Sequence, residues 1–279
     1  MDNNKVWLIT GASKGLGLAL VKKLLALGYC VAATSRNIKK LSEAVGNKDS
    51  NFLPLEVDLL NELSVTEAIS VTIKKFGKID VVVNNAGYGL IGTLEELSDE
   101  EARKNFDVNV FGSLNVIRKV MPHLRKQKSG TIFNISSIGG FTGNFPGFGI
   151  YCATKFAVVG FTESLASEVK PFGISATVVY PGYFRTNFLE SDSLSRPQNP
   201  IEEYTDARAL ELMHVNEIKG NQTGDPDKLA AALISIASNE NPPLHLFLGT
   251  DSVNMALGKI ENLQSEIAHN KPLSISTDF

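Results

Sequence analysis

The sequence has little cysteine, little histidine and no excess of one charge. Its 279 residues include two cysteines and four histidines, and the formal net charge is −3 at pH 7. Cys30 and Cys152 fit no metal-binding or redox spacing, so we expect two buried thiols without a disulfide. The histidines stand singly, at His123, His214, His245 and His269. Single histidines of this kind are usually surface or core residues, and we expect no metal site.

Long runs of basic residues or of apolar residues are also absent. No cluster of five basic residues occurs, so a nucleic-acid partner is not expected. No stretch of 18 apolar residues occurs, so no membrane span is expected. The first residues lack the basic and then apolar pattern of a signal peptide. Together these absences predict a cytoplasmic protein with no membrane partner.

Seven short β-rich runs alternate with helix-length segments. Most are nearly continuous apolar runs, which is typical of strands covered on both faces of a parallel sheet. The predicted strands are Val6–Thr10, Cys30–Ser35, Phe52–Val57, Val81–Asn84, Thr131–Ser136, Ser175–Tyr180 and His245–Leu248. The alternation predicts an α/β fold with a doubly wound parallel sheet of about seven strands.

Helix signals fall between these runs. Gly15–Leu27 carries leucines at helical spacing. Ser98 and Glu101 form a capping-box pattern that opens another helix. Asp225 followed by Pro226 is typical of a helix start and predicts a helix to about Ser238.

Residues 183–224 have no strand pattern and contain several prolines and glycines. A segment of this length inside a compact protein is usually a lid or a mobile loop. We expect it to be a substrate lid with one or two short helices, for example around Glu202–His214. The whole chain, residues 1–279, is predicted to form one domain that includes this lid at 183–224 and a C-terminal extension at 250–279.

A glycine-rich turn follows the first strand and leads into the first helix. The residues are Thr10, Gly11, Ala12, Ser13, Lys14, Gly15, Leu16 and Gly17. Glycines permit a tight turn and let backbone N–H groups approach a pyrophosphate, and a helix N-terminus adds favourable partial positive charge. The strand, turn and helix context is what such a motif requires, so we predict a dinucleotide site here.

The spacing of this turn resembles the T-G-x-x-x-G-x-G motif of the short-chain dehydrogenase/reductase family, and the resemblance continues along the chain. The further matches are Asn84-Asn85-Ala86-Gly87, Asn109, Ser136-Ser137, Tyr151-Cys152-Ala153-Thr154-Lys155, and Pro181-Gly182 with Thr186. It covers roughly Lys5 to Leu248. It implies a Rossmann-type fold and reduction of a carbonyl group.

The resemblance assigns the catalytic centre to Asn109, Ser137, Tyr151 and Lys155. Tyr151 and Lys155 lie four positions apart, on one face of a predicted helix. A nearby ammonium favours the phenolate and lowers the pKa of a tyrosine, while in the direction of reduction the neutral phenol donates the proton. Asn109 resembles the asparagine that positions the lysine through water; the alternative is a helix residue bonded to nearby backbone.

The serine assignment has two candidates. Ser137 precedes Tyr151 by 14 residues and Ser136 precedes it by 15. The family's usual spacing is shorter, so we prefer Ser137 and infer a one-residue insertion around Gly143–Phe145. The chosen serine is expected to donate a hydrogen bond to the substrate oxygen, as an oxyanion-hole donor does.

The expected cofactor is NADP(H). An acidic residue about 20 positions beyond the glycines binds the 2′-hydroxyl of NAD, whereas an arginine suits the 2′-phosphate of NADP. Here Ser35 and Arg36 end the second strand without a carboxylate, and Lys14 is expected to reach the same phosphate. Asp58 resembles the aspartate that contacts adenine, with a helix N-cap as its other reading. The full predicted cofactor set is Gly11, Ser13, Lys14, Gly15, Leu16, Gly17, Ser35, Arg36, Asp58, Leu59, Asn85, Ala86, Gly87, Tyr151, Lys155, Pro181, Gly182 and Thr186.

The expected substrate is a small lipophilic ketone or aldehyde, because the candidate pocket residues are mostly apolar or aromatic. They are Tyr88, Leu90, Phe141, Asn144, Phe145, Phe148, Tyr183, Phe188 and Met213. An NADP-binding sensor with little turnover is the alternative, although it predicts loss of a central residue. A sugar-nucleotide epimerase predicts a different glycine spacing, and an enoyl reductase a longer distance from tyrosine to lysine.

The helix Tyr151–Val169 is apolar nearly all round in its first half. One side is expected to pack on the sheet, and the other is free to contact another subunit. The resemblance therefore implies a possible homodimer or homotetramer through this helix.

Overall fold

The computed structural model describes residues 5–46, 49–186, 188 and 193–279, with only the backbone at position 215. A seven-stranded parallel sheet runs through it in the order β3-β2-β1-β4-β6-β7-β9. Its strands are β1 Val6–Ile9, β2 Cys30–Ser35, β3 Phe52–Glu56, β4 Val81–Asn84, β6 Gly130–Ile135, β7 Ile174–Pro181 and β9 His245–Leu248. The predicted strands are confirmed, with ends within one residue of prediction.

Helices cover both faces of the sheet. They are α1 Gly15–Ala26, α2 Ile38–Val45, α3 Glu62–Phe76, α4 Asp99–Phe106, α5 Gly112–Gln127, α6 Gly149–Val169, α7 Thr205–Leu212, α8 Pro226–Ala237 and α9 Thr250–Ile275. On one face α1, α2 and α8 pack on side chains such as Trp7 and Ile9. On the other, α3, α5 and α6 pack on side chains such as Leu8. Alternate residues of one strand thus serve two cores, which explains the continuous apolar runs.

Strand order reverses between β1 and β4. β1 pairs with β2 on one side and with β4 on the other, both in parallel. The connections leave these two strands in opposite directions, so their carboxyl ends open a crevice. Ligands of doubly wound sheets bind at such a switch point.

The predicted lid contains a strand that the sequence pattern did not indicate. Two short strands, β5 Gly89–Leu90 and β8 Leu194–Ser195, pair in parallel as a separate sheet. The expected helix is present as α7, which continues into a π-helical turn at Met213–Ile218. Residues 187 and 189–192 of this segment lie outside the described residues.

The C-terminal extension forms α9, which joins the rest of the molecule mainly through its first turns. Ser252 and Ala256 are its buried residues, whereas every residue after Ile260 is exposed. Ser252 Oγ donates to the backbone oxygen of Tyr180 at 2.8 Å. Among the described residues no helix is long and apolar enough to cross a membrane.

Candidate active site

The glycine-rich turn at the switch point leaves no room for side chains. Gly11 has a φ of +65°, and a Cβ there would lie 2.7 Å from Ala86 Cα. A Cβ on Gly17 would lie 2.5 Å from Asn85 Nδ2. Glycine is therefore required at both positions, because the turn must approach the end of β4 closely.

Asn85 fastens this turn to the end of β4. Its Nδ2 donates to the backbone oxygens of Thr10 and Gly11 at 2.9 and 3.0 Å. Thr10 Oγ1 accepts from the backbone nitrogens of Asn85 and Ala86 at 3.0 and 3.1 Å. The side chain of Asn85 is thus occupied in holding the turn. The N-terminus of α1 then faces the crevice with Lys14 at its start.

A cleft of about 930 Å³ extends from this turn across the carboxyl edge of the sheet. Most of the predicted cofactor residues line it: Gly11, Ser13, Lys14, Gly15, Leu16, Ser35, Arg36, Asp58, Leu59, Asn85, Ala86, Gly87, Tyr151, Lys155, Pro181, Gly182 and Thr186. Gly17 is the exception, because it lies behind the lining against Asn85.

The end of the cleft beside β2 is basic. Lys14, Arg36 and Lys40 line it together with Asn37. Asp58 also lines this end, and its Oδ1 accepts from the backbone nitrogen of Leu60 at 3.0 Å. The helix N-cap reading of Asp58 is wrong, because Asn61 caps α3. The sequence did not predict Lys40 as a site residue, because a lysine in the first turn of a surface helix matches no cofactor motif.

Tyr151 and Lys155 lie on one face of α6 at the other end of the cleft. Only 9% of Tyr151 and 6% of Lys155 is exposed. Lys155 Nζ lies 5.8 Å from the centre of the Tyr151 ring and donates to the backbone oxygen of Ile135 at 2.9 Å. The end of β6 therefore sets the position of the ammonium.

Burial controls the protonation of this pair. It raises the pKa of the Tyr151 phenol above its ordinary value, and the nearby hydroxyl of Ser137 lowers it in part. It lowers the pKa of Lys155 to about 8. Burial has the largest effect on the phenol, so the pKa of Tyr151 lies above its ordinary value even with Lys155 nearby. A protonated phenol is the form that can donate a proton.

The two candidate serines have different surroundings. Ser136 is buried, and its Oγ donates to the backbone oxygen of Lys155 at 2.9 Å. Ser137 Oγ accepts from the backbone nitrogen of Gly139 at 3.1 Å and lies near enough to the Tyr151 phenol to lower its pKa. The hydroxyl of Ser137 thus stands beside the reactive phenol, while that of Ser136 is used to hold α6.

Asn109 lies in a π-helical turn, Asp107–Phe111, behind the cleft lining. Its Nδ2 donates to the Tyr88 backbone oxygen at 3.0 Å and to Thr154 Oγ1 at 3.1 Å, and its Oδ1 accepts from the Tyr88 nitrogen at 3.0 Å. A Cβ on Gly87 would lie 2.9 Å from Asn109 Oδ1 and 3.6 Å from Lys155 Nζ. The amide is thus bonded to nearby backbone, and it and the lysine ammonium both border the space beside Gly87.

An aromatic region adjoins Tyr151. Of the predicted pocket residues, Tyr88, Leu90, Phe145, Phe148, Tyr183 and Phe188 line the cleft. The placement of Phe141 in the pocket is wrong, because its ring packs edge-on against Tyr180 and Phe247 and is not part of the described lining. Asn144 and Met213 are not in the described lining either.

His214 was missed as a site residue. It is 4% exposed, lines the cleft and lies 2.8 Å by Nε2 from the Tyr183 hydroxyl. Its neighbours in sequence follow a helical apolar pattern, and this pattern predicts that a single histidine there packs in the core. Polar residues from the predicted lid also line the cleft: Ser193, Ser195, Arg196, Gln198 and Gln222.

A doubly wound sheet with a glycine-rich turn at its switch point defines a dinucleotide-binding protein. The profile of the short chain dehydrogenase family matches residues 5–197. The chain therefore belongs to the short-chain dehydrogenase/reductase family and is an oxidoreductase of that family.

Two matches cover most or all of the chain. The 3-ketodihydrosphingosine reductase of Bacteroides thetaiotaomicron is 40% identical over 247 residues, 88% of this chain and 88% of the relative. A short-chain dehydrogenase from Streptomyces avermitilis is 33% identical, with a TM-score of 0.89 over 99% of this chain and 98% of that one.

Two further solved structures carry a cofactor. ElxO with NADP bound is 28% identical, with a TM-score of 0.73 over 90% of this chain and 99% of that one. The 3-ketoacyl-(acyl-carrier-protein) reductase from Brucella melitensis, complexed with NADH, is also 28% identical, with a TM-score of 0.72 over 87% of this chain and 96% of that one. Structures similar to this chain thus bind either form of the nicotinamide cofactor.

Proposed function

We propose that this chain is an NADP(H)-dependent carbonyl reductase with Tyr151 as its general acid. One observation carries the proposal: a buried Tyr151, beside Ser137 and Lys155, closes one end of a cleft whose other end is lined by Lys14 and Arg36. Such a cleft can hold the two ends of a dinucleotide. Gly11 and Gly17 let the turn pack closely on the end of β4, and the N-terminus of α1 that follows it fits the pyrophosphate between these two ends.

Each central side chain has a distinct task. When bound, the cofactor supplies hydride to the carbonyl carbon. Ser137 donates a hydrogen bond to the carbonyl oxygen and so stabilises the negative charge that develops there. Tyr151 gives its phenolic proton to that oxygen. The ammonium of Lys155, held by the backbone oxygen of Ile135, stabilises the phenolate that remains on Tyr151. Asn109 helps to position this lysine.

Tyr151→Phe tests this role. The ring packing stays and the proton is lost, so turnover of an accepted ketone should fall by at least about 100-fold, the usual range for a positioned general acid. NADPH binding, followed by fluorescence titration, should change little. Turnover close to that of the wild type would refute the assignment. A wild-type protein that binds NADPH and reduces no ketone or aldehyde would instead favour the sensor alternative.

The preference for NADPH is proposed from Arg36 and Lys14. No carboxylate ends β2, and both cations line the cleft beside Ser35. The NADP-bound ElxO supports this choice, whereas the NADH complex of the Brucella melitensis enzyme shows that similar folds accept the other cofactor. A charge-assisted hydrogen bond contributes about 1.5–3 kcal/mol, so two such contacts are expected to favour NADPH by roughly 100-fold or more.

Arg36→Ala should raise the KM for NADPH and leave that for NADH nearly unchanged. Lys39→Ala is the matched control, because Lys39 is exposed on α2 outside the cleft lining. The preference should weaken as salt is added, since these side chains are partly exposed. A wild-type enzyme that uses NADH as well as NADPH would refute the preference but not the role of Tyr151.

The proposed substrate is a lipophilic ketone or aldehyde. Phe145, Phe148 and Phe188 line the cleft around Tyr151. The name of the Bacteroides thetaiotaomicron relative makes 3-ketodihydrosphingosine a substrate to test first. Reduction of a panel of ketones and aldehydes, followed by NADPH oxidation, would define the class.

Three other expectations remain predictions. One is a single domain with a lid at 183–224 and an extension at 250–279. The second is a homodimer or homotetramer through α6, which the exposed ring of Phe156, 44% accessible, supports. The third is a cytoplasmic location.

A further inference from the structure

Tyr183 and His214 form a polar pair in the aromatic part of the cleft, and the proposed mechanism does not use either side chain. The Tyr183 hydroxyl lies 2.8 Å from His214 Nε2, and His214 Nδ1 lies 2.8 Å from the backbone oxygen of Leu210. Both residues line the cleft. Both ring nitrogens of His214 are therefore engaged within the protein.

The partners of His214 determine where the protons lie. A backbone oxygen only accepts, so Nδ1 must carry the hydrogen that points at Leu210. Burial lowers the pKa of His214, which favours the neutral ring. In a neutral ring with hydrogen on Nδ1, Nε2 is an acceptor, and the Tyr183 hydroxyl must donate to it. Burial also raises the pKa of Tyr183 to about 12, so the hydroxyl keeps its proton.

The hydroxyl oxygen of Tyr183 consequently has free lone pairs and no free hydrogen. Toward a ligand in the cleft it is an acceptor only. The ring of His214 lies 5.0 Å from that of Phe148, which lies 6.3 Å from that of Tyr151. The ring of Phe148 thus contacts both His214 and Tyr151, and Tyr183 is near enough to Tyr151 to act on it electrostatically.

The carboxylate of Asp251 lies next to Tyr183 and acts on it electrostatically. Asp251 Oδ2 accepts from the backbone nitrogen of Tyr183 at 2.6 Å. Asp251 Oδ1 is buried and has no hydrogen-bond partner among the described residues. The negative charge of Asp251 acts on the Tyr183 hydroxyl, since it contributes to the raised pKa of that residue. The acceptor-only hydroxyl of Tyr183 and the nearby negative charge both favour a ligand group that donates hydrogen bonds or carries positive charge.

We propose that Tyr183, oriented by His214, selects substrates that carry a hydrogen-bond donor, a hydroxyl or an amino group, close to the carbonyl that Tyr151 protonates. The inference rests on the proposed carbonyl reductase function and narrows its substrate class. Tyr183 touches the substrate, whereas His214 acts through Tyr183 as a positioning residue.

Three ketones of equal chain length test the proposal: the plain ketone, its α-hydroxy derivative and its α-methoxy derivative. The wild type should show a kcat/KM for the hydroxy ketone about tenfold above that for the plain ketone, as one added hydrogen bond gives. In Tyr183→Phe the ratio of hydroxy to plain ketone should fall close to one. The ratio is the readout, because a general effect of the variant on the cleft changes both values and cancels in it.

His214→Phe gives the second readout. Without an acceptor at Nε2, the Tyr183 hydroxyl is free to donate, so the methoxy ketone should gain relative to the hydroxy ketone. A merely structural role of His214 would lower all three values together. Melting temperatures of both variants control for folding.

The affinities of the paired diol and mono-alcohol products, measured by calorimetry with NADPH present, give the same comparison without turnover. An unchanged preference in Tyr183→Phe, in rates and in affinities, overturns the substrate inference and leaves the carbonyl reductase function intact. No turnover of any of the ketones, together with a diol preference that Tyr183→Phe abolishes, would refute the reductase function and keep the binding role.

Discussion

Ser136 and Ser137 are adjacent, yet their hydroxyl groups meet different partners. Ser136 donates to the backbone of α6, whereas the hydroxyl of Ser137 lies beside the phenol of Tyr151 and lowers its pKa. We expect Ser137→Ala to lower kcat by about 100-fold to 1,000-fold, as loss of an oxyanion donor does. Ser136→Ala is the neighbouring control and should cost much less. Steady-state kinetics on one accepted ketone would decide, and the reverse ranking would move the role to Ser136.

Residue positions could be predicted where a motif fixes both the residue type and the end of a strand. Tyr151, Lys155, Gly11 and Gly15 are such cases, and the fold brings them to one cleft. Phe141 and His214 could not be predicted. An aromatic ring or a lone histidine faces either the core or the cleft depending on the path of its segment, and that path depends on tertiary contacts.

At the scale of elements, α7 is the part of the proposed lid whose attachment can be tested. Glu96 is buried, and its Oε2 accepts from Arg208 at 2.9 Å, while its Oε1 accepts from the backbone nitrogen of Ile201 at 2.7 Å. We expect the amides of α7 to exchange hydrogen faster than those of α6, and to slow when NADP and an alcohol product are added.

Glu96→Gln should speed exchange in α7, because the ion pair with Arg208 is lost. Glu62→Gln is a matched control, since its partners Arg118 and Lys119 lie on the surface away from α7. Hydrogen exchange with mass spectrometry would give both comparisons. Slow and equal exchange in α7 and α6, with and without ligands, would make α7 a fixed part of the core.

The long elements could be predicted because their burial repeats along many residues. Strands covered on both faces give continuous apolar runs, and caps such as Ser98 with Glu101 form as the sequence indicates. The pair β5 and β8 has two residues in each strand, too few for any period to show. Their pairing depends on how the segment after β7 returns over the cleft.

For the whole molecule, the buried Lys155 links stability to pH. Its pKa is about 8 in the folded protein and near 10.5 when exposed. Between these values the unfolded chain binds a proton that the folded chain does not, so this lysine makes the free energy of unfolding rise with pH. Below pH 8 Lys155 is protonated in both the folded and the unfolded chain, so the folded protein bears the full cost of burying the ammonium.

Lys155→Met removes this dependence. From pH 7 to 10.5 the wild type should gain up to about 3 kcal/mol relative to the variant. Lys39→Met, at an exposed position, should follow the wild type. Urea unfolding at several pH values measures the difference. Parallel curves for the wild type and Lys155→Met would mean that the ammonium keeps its ordinary pKa.

The contact between Gly182 and Asp251 joins two distant parts of the chain and limits the substitutions that either position can accept during evolution. Asp251 binds the backbone of Tyr183, 68 positions earlier, and its carboxylate occupies the space that any side chain at position 182 would need. Neither position can change alone without disturbing the loop after β7. Among descendants of one ancestor, Gly182 and Asp251 should therefore be kept or replaced together, while the exposed residues beyond Ile260 diverge freely.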